Sequence, residues 1–148
     1  HLAHAKLRDV DLRDSDLSHD RDKPNAGYTC NYAQFSRSQL DGSNLSRTPL
    51  TYAVFEQSCL RDVDLSRAVA VAAVFQGADL RNADLRFADL SRSRLEGADL
   101  RGANLSFTNL SGANLEGAIH DETTIWRGSR YNQRTRWSDG QRQRAPLR

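Results

Sequence analysis

A leucine or phenylalanine at almost every fifth position is the feature that most constrains this chain. The stretch GADLRNADLRFADL, residues 77–90, repeats Ala-Asp-Leu three times, each five residues after the last. In an α-helix a step of five residues turns about 500°, so successive leucines would spiral around the axis. In a straight strand an odd step places them on opposite faces. The chain must therefore change direction once in every five residues.

The five positions of each unit have distinct roles. We call the Leu or Phe position the centre; from Phe35 to Leu115 only Ala70 interrupts the series. A small residue lies two places before each centre, and the residue between them is mostly polar. In extended backbone the small residue and the centre point to one side and the residue between them to the other. The remaining two residues form a corner, where Gly recurs. We predict two side chains inward and three outward per unit.

Stacking such units buries the leucines inside a solenoid. The pattern small-(Asp/Asn)-Leu-x-x resembles the pentapeptide-repeat family, continuously over residues 33–118 and less regularly over 5–17. The resemblance implies an all-β solenoid, a right-handed quadrilateral parallel β-helix with four units per coil. Four units predict a super-period of 20 residues, on which the phenylalanines among the centres do fall. The predicted core wall on this super-period is Phe35, Phe55, Phe75, Leu95 and Leu115.

We predict a β-helix over residues 1–118 with an inserted loop at about 18–29. The early centres Leu7, Leu12 and Leu17 are out of phase with Phe35 by three residues, so the insertion is eight or thirteen residues long. Loops on rigid scaffolds often carry function, although a tolerated surface insertion explains the pattern too. The candidate functional residues of the loop are His19, Asp20, Arg21, Asp22, Lys23, Asn25 and Tyr28.

Residues 119–148 are predicted to form a non-repeat C-terminal cap and basic tail. The repeat stops after Ala118, and the largest concentration of aromatic residues follows. The end of a solenoid exposes its core and needs a cover, which would lie on this chain's own end or against a second subunit. The predicted cap residues are Ile125, Trp126, Tyr131 and Trp137.

Two outward features break the polar rule. Phe87 and Phe107 lie one coil apart at the second corner position, in line with Arg67 and Arg47, and form either a cation–π surface stack or part of an interface.

The second outward feature is an apolar cluster of four valines, Val54, Val69, Val71 and Val74. It marks either a contact patch or a local register slip that turns Val69 or Val71 inward to compensate for the small Ala70. The candidate interface residues are Phe87, Phe107, Arg67, Val54, Val69, Val71 and Val74.

Elsewhere, Asp79 and Asp99 are expected to neutralise the arginine column Arg61, Arg81 and Arg101.

Nothing in the sequence points to catalysis, a cofactor or a metal. The histidines are scattered and join no acidic or cysteine cluster at ligand spacing, and the repeated aspartates follow from the repeat itself. Cys30 is predicted to face inward and Cys59 outward, so no disulfide joins them, which favours a reducing, cytoplasmic location. The chain begins at His1 and contains no Met, so we expect a trimmed start.

The leading functional prediction is a non-catalytic rod that presents flat walls to a protein partner. The resemblance implies an alternative, because some family members imitate duplex DNA and bind bacterial DNA gyrase, protecting it from quinolones or inhibiting it. Such members show a strongly acidic face and dimerise through their C-terminal ends, so a homodimer is expected under this alternative. Residues 35–117 instead carry nine basic and ten acidic residues.

A third class is nucleic-acid contact through the tail, where arginines alternate with aromatic residues as in proteins that bind single strands. The overall charge of +2 argues against a general polyanion binder. Neither a small-molecule substrate nor a membrane is expected as a partner. The arginines concerned are Arg127, Arg130, Arg134, Arg136, Arg142, Arg144 and Arg148.

Overall fold

The structure, a computed structural model, describes residues 2–18 and 29–138. Over these residues the chain winds into coils whose backbones pair in parallel, most often between residues 20 apart, as Asp84 pairs with Asn104. Two strands are long enough to be named: β1, Asn114–Leu115, pairs in parallel with β2, Arg136–Trp137. The other pairings are single bridges because each side of a coil is so short. Within the described ranges no helix is long and apolar enough to cross a membrane.

The bridges form four walls, each identified by its outward residues in coil order. Wall 1 carries Lys6, Gln34, Val54, Val74, Arg94, Asn114 and Arg136. Wall 2 carries Asp11, Gln39, Cys59, Asp79, Asp99 and Ile119. Wall 3 carries Asp16, Asn44, Asp64, Asp84, Asn104 and Ile125. Wall 4 carries Pro49, Val69, Asp89, Asn109 and Arg130.

Each unit is held by four kinds of backbone hydrogen bond, one of which runs from the second corner residue to the next coil, as from Phe87 to Ser106. The N–H of the centre residue Leu85 donates to the carbonyl of Asn104 in the next coil, at 2.9 Å. The N–H of Asp84 donates to Val63 in the preceding coil, also at 2.9 Å. The corner is closed by the N–H of Ala88, which donates to the carbonyl of Leu85 at 3.1 Å. Every five residues thus tie three successive coils together.

The second residue of the corners adopts a left-handed backbone conformation. Gly77 has a φ of 64°, and many other corners hold non-glycine residues in the same region, such as Arg67 and Phe87 at 60°. An L-residue in this region costs roughly 1–2 kcal/mol. This cost explains why Gly recurs at the position, and it makes each bulky residue there a feature that needs a reason.

The core is a column of centre residues flanked by small ones. Leu85 and Ala83 are both fully buried, as are the corresponding residues of the neighbouring coils. Phe35, Phe55 and Phe75 stack face to face, with ring centroids 4.9 Å and 5.0 Å apart. The stack places three large rings on the inner side of wall 1.

Ala70 keeps the register of the repeat, so the alternative of a register slip is wrong. The N–H of Ala70 donates to Asp89 at 2.8 Å, and Ala70 is fully buried while Val69 points outward and is 43% exposed. In the same coil, Val63 is buried at a position that Ala, Ser or Thr occupies in most other repeats. A larger small-position residue therefore occurs in the coil whose wall 4 centre is reduced to Ala70.

The insertion is eight residues long, because Lys6 pairs with Gln34, 28 residues on rather than 20. It falls between Ser18 and Thr29, whose carbonyl accepts the N–H of Leu2 at 3.2 Å. The loop thus begins at the corner between walls 3 and 4. The candidate loop residues all lie outside the described residues: His19, Asp20, Arg21, Asp22, Lys23, Asn25 and Tyr28.

The ladder does not end at residue 118, where the repeat was expected to stop. Ile125 pairs with Asn104, 21 residues earlier, and Arg136 pairs with Asn114, 22 residues earlier. A further coil therefore follows, with one or two extra residues. This lengthening hides the five-residue period in the sequence.

Aromatic rings fill the centre positions of this last coil. Trp126 and Trp137 meet edge to face with centroids 5.6 Å apart, and Tyr131 meets Trp137 in the same way at 5.8 Å. Ile125, which was expected among the cap residues, instead lies on the outer surface of wall 3 and is 46% exposed. It occupies the outward position between Thr124 and Trp126, and alternation along the strand turns it away from the core.

The two cysteines are far from equivalent. Cys30 is a buried centre residue, whereas Cys59 lies on the outer surface of wall 2, and both are free thiols. Burial raises the pKa of the Cys30 thiol to about 11, so it is protonated at neutral pH. Neither the burial of one nor the direction of the other favours a bond between them.

Candidate functional site

The arginine column beside wall 2 is neutralised by aspartates, as expected. Arg61 and Arg81 each approach a carboxylate oxygen of Asp79 at 2.6 Å, and Arg101 pairs with Asp99 at 2.5 Å. The pKa of Asp79 lies well below its usual range. The main cause is the hydrogen bonds that Arg81 donates to the carboxylate; Arg61 adds to the effect, and desolvation opposes it. On this side of the β-helix, arginines and aspartates thus pair with each other along the ladder.

The ladder predicts a specific dependence of stability on pH. Asp79 has a lower pKa in the folded chain than in the unfolded chain, so its stabilising contribution is complete above about pH 4 and is lost at lower pH. We expect Asp79→Asn with Asp99→Asn to lower the free energy of unfolding at pH 7. The difference from the wild type should shrink between pH 4 and pH 2, measured by urea unfolding. A difference that stays constant over that range would contradict this origin.

One corner, between walls 3 and 4, carries a phenylalanine ridge made of Arg67, Phe87 and Phe107. The two phenyl rings are parallel, with centroids 5.1 Å apart and 7° between their planes. The guanidinium carbon of Arg67 lies 5.2 Å from the Phe87 centroid. On the other side, Gly128 approaches Phe107 so closely that an added Cβ would lie 2.7 Å from the ring. The outer faces of this ring pair are therefore covered, and the ring edges are what solvent meets.

The next corner, between walls 4 and 1, carries a tyrosine ridge made of His4, Tyr32 and Tyr52. The rings of His4 and Tyr32 stack at 4.9 Å, and those of Tyr32 and Tyr52 at 5.1 Å. Sequence reasoning missed this ridge. The signal was available, because Tyr32 and Tyr52 are 20 residues apart at the second corner position, as Phe87 and Phe107 are.

Wall 4 lies between the two ridges. Its early coils present Pro49 and the exposed Val69, and Val71 lies at the adjoining corner. The other two valines, Val54 and Val74, lie on wall 1 beside the tyrosine ridge. The structure thus brings all the interface residues that the sequence suggested to wall 4, its two corners and the neighbouring strip of wall 1. Ser18, the last described residue before the insertion, lies at the corner that bears the phenylalanine ridge.

Both ridges hold half-exposed aromatic rings at a left-handed backbone position. Tyr32, Tyr52, Phe87 and Phe107 all have a φ of 60°, where each costs roughly 1–2 kcal/mol. A stacked aromatic pair contributes about 0.5–1.5 kcal/mol beyond its burial. The stacking and the burial of part of each ring offset the backbone strain, while the four rings remain about half exposed. Other corner residues, such as Arg47 and Gln57, share this backbone conformation, so the rings differ from them in the apolar surface that they expose.

The described surface carries many acidic side chains, which are spread along the walls. Among the described residues, no group of three or more His, Cys, Asp or Glu side chains is placed to hold a metal ion. The aspartates of the walls are engaged with arginines and corner amides, as Asp84 is with Arg86 and Asp89 with the N–H of Ser91. These hydrogen bonds maintain the corners, as expected for outward aspartates in turns.

Comparisons with known proteins agree on the fold. The sequence matches the model for pentapeptide repeats, in eight copies, over residues 30–67, 50–86 and 78–117. The structure is similar to Rfr23, a pentapeptide repeat protein from the cyanobacterium Cyanothece 51142, at a TM-score of 0.51 and 26% identity, over 91% of this chain and 89% of that one. No curated protein matches the sequence.

It is also similar to two trypsin-treated forms of QnrB1, a plasmid-mediated fluoroquinolone resistance protein. The TM-scores are 0.57 and 0.58 and the identities 17% and 16%, over 95% of this chain and 86% of that one. At such identity the likeness concerns the fold alone. Pentapeptide repeat proteins form right-handed β-helices and are generally structural or binding modules. With more than half of its length matched by the family model, this chain belongs to the pentapeptide repeat family.

Proposed function

We propose that this chain is a non-catalytic binding module that docks a protein partner on wall 4. The observation that carries the proposal is the placement of four strained, exposed aromatic rings, two at each edge of one wall. Phe87 is 51% exposed and Tyr52 is 49% exposed. Aromatic residues and arginine are the types most enriched in protein interfaces and their energetic centres.

The rigid frame supports this role. Each ridge residue is fixed by a corner hydrogen bond and by the coils above and below it, as when the N–H of Phe87 donates to Ser106 at 3.0 Å. A partner would thus meet rings that are already ordered, at little further loss of conformational entropy. The coils advance by about 5 Å each, so the two phenylalanines offer two contacts at a fixed spacing of 5.1 Å.

Capture experiments with matched variants test the proposal. Phe87→Asn with Phe107→Asn removes the rings, while asparagine tolerates the left-handed backbone and the net charge is unchanged. We expect this variant to keep a cooperative thermal transition and to lose at least ten-fold of the partner that the wild type captures from a native lysate. The control, Arg61→Gln with Arg101→Gln beside wall 2, should capture as the wild type does. Equal capture by the ring variant, or equal loss in the control, would show that wall 4 is not the binding surface.

The surface charge does not favour imitation of duplex DNA. A DNA mimic needs an unbroken acidic face, whereas here Asp79, Asp84 and Asp99 are paired with arginines. A gyrase supercoiling assay, with and without a fluoroquinolone, tests this alternative. Inhibition or protection at micromolar protein would establish gyrase as the partner, and no effect would remove it.

The aromatic residues near the C-terminus are not free to stack on nucleic acid bases. Trp126 is buried, and Tyr131 and Trp137 pack against the core. Of the tail arginines, Arg142, Arg144 and Arg148 lie outside the described residues. Contact between this part of the chain and single-stranded nucleic acid would therefore rest on the charge of the arginines, without stacking of bases on aromatic rings.

We propose in addition that the last coil, residues 119–137, closes this end of the solenoid. Its aromatic centres cover the leucine column, so Trp126→Ala should loosen this coil first. We expect amide hydrogen exchange to accelerate there while residues 60–100 keep their protection. Uniform acceleration along the whole chain would mean that Trp126 supports the fold in general and does not act as a local cover.

A further inference from the structure

The arginines of the described residues fall into two groups. Eight form ion pairs: Arg13, Arg37, Arg61, Arg81, Arg86, Arg94, Arg101 and Arg136. Within the same ranges the other seven form none: Arg8, Arg47, Arg67, Arg92, Arg127, Arg130 and Arg134. Six of these seven, all except Arg8, lie on wall 4 or at its two corners. The nearly neutral total charge therefore conceals a strongly uneven distribution.

The position of each unpaired arginine follows from the ladder. Arg47, Arg67 and Arg127 lie at the corner of the phenylalanine ridge, and Arg130 lies on wall 4 itself. At the opposite corner, Arg92 and Arg134 flank Gly112, where an added Cβ would lie 3.7 Å and 3.9 Å from their side chains. All six side chains are exposed.

Acidic residues do not balance this surface. In the described part of wall 4 and its corners the sole carboxylate is that of Asp89. It accepts hydrogen bonds from the N–H of Ser91 at 2.9 Å and from the side-chain amide of Asn109 at 3.1 Å. Six cations thus face one carboxylate that is already engaged.

The phenylalanine ridge presents the same polarity. An aromatic ring is negative on its faces and positive at its edge. Arg67 and Gly128 cover the outer faces of the ring pair, so Phe87 and Phe107 offer mainly their edges. Ring edges attract carboxylate and carbonyl oxygens, whereas bases of single-stranded nucleic acid need open faces on which to stack.

We infer that wall 4 binds an acidic protein segment, one whose carboxylates meet the unpaired arginines while its apolar side chains pack against Pro49 and Val69. The inference rests on the proposed function and names the chemistry of its partner. Arg47 and Arg127 are four coils apart, about 20 Å at the spacing of paired strands. An extended segment of roughly six residues spans that length.

Selection from a library of random twelve-residue peptides tests the inference. With immobilised wild-type protein at physiological salt, we expect the enriched peptides to combine net negative charge with apolar residues. Their affinity should fall at least ten-fold in Arg47→Gln/Arg67→Gln/Arg92→Gln. It should change less than two-fold in the matched control Arg61→Gln/Arg94→Gln/Arg101→Gln, whose arginines belong to ion pairs elsewhere. Failure to enrich any peptide, or equal binding by the first triple variant, would overturn the inference.

Other outcomes separate the partner's chemistry from its location. Neutral or basic peptides that lose affinity in Phe87→Asn/Phe107→Asn would overturn the acidic partner and leave wall 4 as the binding surface. If acidic peptides bind this ring variant and Arg47→Gln/Arg67→Gln/Arg92→Gln as tightly as the wild type, both the proposed partner chemistry and the proposed surface are overturned. A 20-nucleotide thymidine oligomer provides the last comparison. If the wild type binds it more tightly than the peptides, and Arg47→Gln/Arg67→Gln/Arg92→Gln loses that binding, the surface is assigned to nucleic acid instead.

Discussion

Leu85→Asp is expected to unfold the protein at neutral pH. Leu85 is fully buried, and the centres above and below it, Leu65 and Leu105, are buried as well. A carboxylate at this point would lie in an apolar column with no cation within it. A buried, unpaired charge is among the few single changes that cost more than about 4–5 kcal/mol, a large part of the stability of a chain of this size.

A matched control separates charge from position. Asn104 lies on the outside of wall 3, one coil beyond Asp84, and its side-chain oxygen accepts the N–H of Ser106 at 3.0 Å. Aspartate can accept the same hydrogen bond, so Asn104→Asp should stay within roughly 1 kcal/mol of the wild type. Circular dichroism and urea unfolding measure both variants. A cooperatively folded Leu85→Asp protein of near wild-type stability would refute the inward assignment of the centre residues.

The second large effect is expected for Gly128→Ala. The backbone of Gly128 is left-handed, with a φ of 66°, and an added Cβ would lie 2.7 Å from the ring of Phe107. The ring must move, and its stack with Phe87 opens. We expect a loss of about 2–3 kcal/mol, the sum of the backbone strain and the lost ring contacts, measured by urea unfolding.

Two further variants apportion that loss. Gly97 has nearly the same φ, 65°, and nothing lies within 4 Å of an added Cβ, so Gly97→Ala reports backbone strain alone. In the background of Phe107→Asn, Gly128→Ala should cost no more than Gly97→Ala does. Equal costs for Gly97→Ala and Gly128→Ala in the wild-type background would mean that Gly128 does not support the phenylalanine ridge.

The architecture was predictable because one physical requirement repeats through most of the chain. Each five-residue unit must turn two side chains inward, so the centre and small positions can be recognised in the sequence. The 20-residue spacing of Phe35, Phe55 and Phe75 indicates the four-sided coil. The phenylalanine ridge followed from the same ladder. The family match rests on the same repeats.

The parts that escaped prediction depart from strict periodicity. The last coil holds one or two extra residues, so Trp126 and Trp137 fall out of the five-residue phase although they occupy centre positions. Tyr32 and Tyr52 were overlooked because their polar hydroxyls fit the rule for an outward corner. The concentration of arginines without an ion pair on wall 4 and at its two corners depends on which carboxylates each guanidinium reaches, and a count of charges along the chain does not reveal it.

Hydroxyl-radical footprinting of the protein bound to its captured partner tests the placement of the binding surface most directly. The chain contains matched reporters, since Tyr52, Phe87 and Val69 border or lie on wall 4, while Ile119 on wall 2 and Ile125 on wall 3 are similarly exposed. Oxidation of Tyr52, Val69 and Phe87 should fall in the complex, and that of Ile119 and Ile125 should stay as in the free protein. Protection of Ile119 or Ile125 with Phe87 and Tyr52 still fully oxidised would contradict a partner docked on wall 4.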